Sequence, residues 1–142
     1  MTKPGRWLVL SDRRFWFAAP TLLACPFMVT GIFFHQGFVL SEKQWQPEWM
    51  ALAFVVYGVF HWASSLIFGV LVDRFSGVRL LRFYNLPLLL GVVLLANVSG
   101  LWVAPVMMAL LGAAIGAASP TVGSMWAEIY GTEVIGLSLI HI

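Results

Sequence analysis

Charge is what this sequence has least of. Asp, Glu, Lys and Arg make up only 10% of its 142 residues, against 61% hydrophobic, where a soluble domain carries about 25% charge. So thin a supply of water-binding groups cannot cover a globular surface, and the chain falls in the membrane class. Cysteine is nearly absent too. Cys25 stands alone, so no internal disulfide can form, and its apolar setting reads as a small lipid- or helix-facing residue. A net charge of +2 is too small to suggest nucleic acid as a partner. The six acids and three His are thinly spread. They offer no metal cluster, paired carboxylates or nucleophile–base constellation, so neither an enzyme nor a cofactor is expected. A signal peptide is not expected either. "WLVL" is cut off by Ser11, Asp12, Arg13 and Arg14, where an apolar region of about 7–15 residues is needed.

What the chain does have is long uncharged runs. Phe15 to Ser41, Trp49 to Val72 and Phe83 to Ala127 contain no Asp, Glu, Lys or Arg. A membrane span needs about 20 apolar residues. The first two runs predict one helix each, over about 15–40 and 49–72. The third is long enough for two and carries turn formers Asn97, Ser99 and Gly100. It is split into helices over about 80–98 and 101–124. The runs are continuous rather than alternating, which favours helices over a β-barrel. The expected fold is an all-α membrane protein of four transmembrane helices. Residues 1–14 form a basic flank and 15–136 the transmembrane segment.

Orientation follows from basic residues. Lys3, Arg6, Arg13, Arg14, Arg74, Arg79 and Arg82 fall on one side of such a bundle and only Lys43 on the other. That bias places both termini, with Glu128 and Glu133, in the cytoplasm of a multi-pass cell-membrane protein.

One inter-helix turn, "GVLVDRFSGVRLLR" at 69–82, holds an Asp, three Arg and two Gly. An acid at a helix C-terminus is disfavoured by the dipole, so Asp73 is expected to find a partner in Arg74, Arg79 or another cation. Gly69 is expected to admit a neighbouring backbone and Gly77 to turn the chain with positive φ. Arg79 and Arg82 can reach lipid phosphate or a carboxylate. The pattern Gly69, Leu71, Asp73, Arg74 and Phe75 resembles the cytoplasmic signature of the major facilitator superfamily. Gly77 and Arg79 fit it once Ser76 is allowed as an extra residue, and the motif's second basic residue is replaced by Val78/Leu80, so this is a degraded copy. Two further stretches are similar to the same family. "SPTVGSMWAEIYGT" resembles the end of its tenth helix and the following loop, matching at Pro120, Trp126, Ala127, Glu128, Tyr130 and Gly131. "TGIFFHQGFVLSEKQW" resembles its seventh helix and external hairpin.

The resemblance implies a fragment of the C-terminal half, the seventh to tenth helices, of a transporter that works with a missing half by alternating access. A membrane lipid environment and a small-molecule substrate, unidentified, would be its partners. The resemblance also implies a cytoplasmic gate of Gly69, Asp73, Arg74, Gly77, Arg79, Glu128 and Gly131, with Asp73 and Arg74 as a latch. "LSLIHI", Leu137–Ile142, resembles sequencing-adapter read-through and is read as a non-native tail.

Polar residues at membrane depth are the cavity candidates: Thr30, His35 and Gln36 in the first helix, Tyr57 and His61 in the second, where Ser65 continues the i, i+4 face. His61 is the candidate substrate ligand or proton carrier. Gly112 and Gly116 form a small-xxx-small pair for close packing, and Pro120 is a kink or gate element. No acid lies inside a span, which argues against a small multidrug-resistance transporter built on a membrane-embedded Glu. The rival expectation is a non-transporting four-helix scaffold that packs through Gly112 and Gly116.

Overall fold

Each long helix is bounded by residues suited to its ends. Asp12 caps the first by accepting a hydrogen bond from the Arg14 amide at 2.9 Å. Pro47 opens the third, where a missing N–H costs nothing. Gly131, at φ +77°, closes the last, its amide bonding to Ala127 O at 3.0 Å. The computed structural model describes residues 11–131, and all regular structure among them is helical. In chain order the helices are α1 (Arg13–Phe34), α2 (Gln36–Lys43), α3 (Pro47–Phe75), α4 (Gly77–Leu80), α5 (Leu86–Asn97) and α6 (Val103–Tyr130). Lys3, Arg6, Glu133 and the Leu137–Ile142 tail lie outside the described residues.

Among the described residues, three helices, α1, α3 and α6, are long and apolar enough to cross a membrane. That is consistent with a multi-pass membrane protein. The third expected span, over about 80–98, differs. The stretch 80–98 is not one helix but the end of α4, turns over 81–85, and the 12-residue α5. At about 1.5 Å per residue, α5 covers about 18 Å of a hydrocarbon core about 30 Å thick. The break has a local cause. Pro87 has no amide to bond Phe83 O, which instead accepts from the Leu86 amide at 3.0 Å in a turn. Tyr84 Oη and Asn85 Nδ2 instead donate to Thr21 O of α1, at 2.6 and 2.9 Å. The uncharged run concealed this, because composition carries no sign of where a proline interrupts the ladder.

The core sits on α6. Val103, Ala104, Met107, Met108, Leu111 and Ala114 are wholly buried, and α3, α5 and α4 pack most extensively against that helix. Along α1 only Cys25 and Val29 are buried. Outward-facing side chains are large and apolar: Phe27 is 76% exposed, Phe34 84% and Trp62 67%. Such a surface suits lipid better than water.

Cross-links sort the loops into two ends. At one, Tyr130 Oη donates to Asp12 Oδ2 at 3.2 Å, and Ser76 Oγ donates to Glu128 Oε2 at 2.6 Å. The start of α1, the α3–α4 turn and the end of α6 therefore lie together. At the other, Lys43 Nζ donates to Val98 O at 3.1 Å, and Trp49 Nε1 to Leu101 O at 2.6 Å. The α2–α3 and α5–α6 connections meet there. The chain runs alternately up and down, with the arginines at the first end and Lys43 at the second.

Candidate functional site

The arginine-rich end is organised by one carboxylate. Glu128, in the last turn of α6, accepts from Ser76 Oγ at 2.6 Å, from the Gly77 amide at 2.6 Å and from Ser124 Oγ at 2.9 Å. Helix α4 starts at Gly77 with its first amides free of helical partners. An acid set there satisfies them and complements the dipole. Ser124 precedes Glu128 by four residues, so both point to one side of α6.

Gly77 has a different part from the one expected. The positive φ in this turn belongs to Ser76, at +75°. A Cβ on Gly77 would meet Met125 N at 2.6 Å and Thr121 O at 2.9 Å. Gly77 is needed for the close approach of α4 to the α6 backbone. The reverse correction holds at Gly69, which was expected to admit a neighbouring backbone: nothing lies within 4 Å of where its Cβ would be.

Asp73, Arg74 and Arg79 are exposed, and none of their side chains bonds to another described residue. The acid that clasps the turn is Glu128, not Asp73. The rest of the "WAEIYG" stretch serves the same end. Trp126 packs on Phe15 with ring centroids 5.7 Å apart and stacks on Tyr130 at 5.6 Å. Tyr130 reaches Asp12, and Gly131 ends the helix.

Mid-bundle, α3 crosses α6 almost backbone to backbone. A Cβ on Gly112 would collide with the carbonyl oxygen of Tyr57, and one on Gly116 with that of His61. Ser64 Oγ donates to Ala113 O at 2.7 Å beside this crossing. The residue bonding across is Ser64, one position before the Ser65 expected on the polar face.

The cavity candidates divide. Tyr57 and His61 are together, ring centroids 5.9 Å apart, and Phe33 of α1 meets Tyr57 at 5.4 Å. Thr30 on α1 and His35 just after it are exposed, along an open apolar groove with Leu23, Phe27 and Phe34. His35 Nδ1 is spent on Gly31 O at 2.8 Å. Gln36 is half-buried with its Oε1 enclosed and unpartnered among the described residues. Pro120 lies within α6, between exposed Ser119 and wholly buried Thr121. It withholds a bond from Gly116 O at the crossing itself.

The sequence reading missed Ser76 and Ser124 as ligands of Glu128. Ser124 carried a signal in its i, i+4 spacing. Ser76 was passed over as an insertion in the motif. Compared with protein-family models, curated proteins and solved structures, the chain has no match.

Proposed function

We propose that the chain is part of a secondary transporter of the major facilitator type, the seventh to tenth helices of its C-terminal half. It would move a small solute by rocking one bundle against another around a site near mid-membrane. The observation that carries this reading is the Glu128 clasp. Two stretches that separately resemble the family, the 69–82 turn and "WAEIYG", meet through Ser76, Gly77 and Glu128. The clasp would hold the α3–α4 turn as a rigid bracket, and exposed Asp73 and Arg74 would engage the remaining half. Tyr57 and His61 would face solute. Pro120, by freeing Gly116 O at the α3–α6 crossing, would let the end of α6 tilt.

The scaffold alternative needs Gly112 and Gly116 for contact with another protein. Both are covered by α3, which leaves neither free for that contact. The test is uptake of radiolabelled sugars, amino acids and organic acids by cells expressing the gene that contains this reading frame. At least one solute should accumulate above vector controls, with Asp73→Ala slowing uptake at least ten-fold. Normal rates in Asp73→Ala would remove the latch, and background uptake of every solute would favour the scaffold.

A further inference from the structure

Between α1 and α5 runs a groove of about 340 Å³ that no described side chain fills. Its walls are Ala24 and Met28 of α1 and Leu89 and Val92 of α5, and its mouth holds Arg82 and Asn85. The mouth is fixed rather than adaptable. Asn85 and its neighbour Tyr84 both bond to Thr21 O, tying the turn to α1. The Arg82 side chain is exposed and pairs with no acid among the described residues.

We propose that this groove binds one anionic phospholipid, its phosphate on Arg82 and an acyl chain lying against α5. The inference rests on the chain being embedded in a membrane. It does not require that the chain transport anything.

Three features select this occupant. The walls are apolar, as a hydrocarbon chain requires, and the one charge is cationic and at the end. Arginine's planar fork matches phosphate oxygens. The length also agrees. From Leu86 to Val92 the helix rises about 9 Å, and the 81–85 turns extend the groove toward Arg82. That fits within one leaflet, about half of a hydrocarbon core of about 30 Å. The shortness of α5 then has a consequence: Arg82, in the turn before it, lines the mouth of the groove, where a headgroup would lie.

The experiment is native mass spectrometry of the full chain released from detergent micelles. The micelles carry equal amounts of palmitoyl-oleoyl phosphatidylglycerol and phosphatidylcholine, which share acyl chains and differ in headgroup. Phosphatidylglycerol should be retained about five-fold over phosphatidylcholine, the factor one basic residue near a membrane surface contributes. Arg82→Gln should bring the ratio to about one. Arg79→Gln, a change at the same end but outside the groove, should leave it near five. Val92→Trp, which fills the groove, should lower retention of both lipids. Equal loss of preference in Arg79→Gln and Arg82→Gln would mean diffuse surface charge and overturn the site. Unchanged retention in Val92→Trp, or a V92C variant that cross-links to a second copy in bilayers, would overturn it too.

Discussion

The two ends of the bundle are tied by opposite charges used for the same purpose. At the arginine-rich end an anion, Glu128, sits at the start of a helix, α4. At the other a cation, Lys43, sits at the end of a helix, donating to Val98 O where α5 stops. Each complements the local dipole and satisfies backbone groups left open by the helix terminus. The difference lies in number and packing. Glu128 gathers three donors beside a backbone contact through Gly77. Lys43 makes one bond to a carbonyl and a longer one, 3.4 Å, to Ser99 Oγ, helped by Trp49. The first end is built to hold one geometry and the second to yield first.

If so, substitutions at the arginine-rich end should cost more. The largest effect is expected from Gly77→Ala, whose Cβ would push against the α6 backbone at Met125 and Thr121 and against Ser124 Cβ. It should destabilise by about 1–3 kcal/mol, as overpacking does, read from thermal unfolding in detergent. Glu128→Ala should follow at about 1–2 kcal/mol. Charge-assisted bonds are worth more than neutral ones, but solvent at this exposed position screens them. Glu128→Gln should recover part of that loss by keeping an acceptor. At the opposite end, Trp49→Phe removes one indole bond and should cost about 1 kcal/mol. Lys43→Met should cost least, about 0.3–1 kcal/mol. A Lys43 effect as large as that of Glu128 would erase the asymmetry.

Much of the architecture was legible from charge alone. The uncharged runs located α1, α3 and α6 because a buried or lipid-facing helix leaves no charge along its length. Gly112 and Gly116 were legible as a spaced small pair, and the structure sets them at the α3–α6 crossing. The break between α4 and α5 was not, because its causes, Pro87 and the bonds to Thr21 O, lie partly in another helix. The same limit applied at the clasp. Glu128 could be assigned to the arginine-rich end, but its ligands Ser76 and Gly77 lie some fifty residues away. Asp73 drew attention for its place in a motif. Sequence distance hid that another acid holds that turn.

Cysteine labelling is the most direct test of the alternating arrangement. Cys25 is buried and would be replaced by Ser to remove background. Single cysteines are then placed at exposed Arg74 and Gln44, one at each end, and intact cells are treated with a membrane-impermeant maleimide. R74C should react only after permeabilisation, while Q44C reacts at once. Reaction of both from the same side would contradict the arrangement, and reaction of R74C alone in intact cells would contradict its orientation.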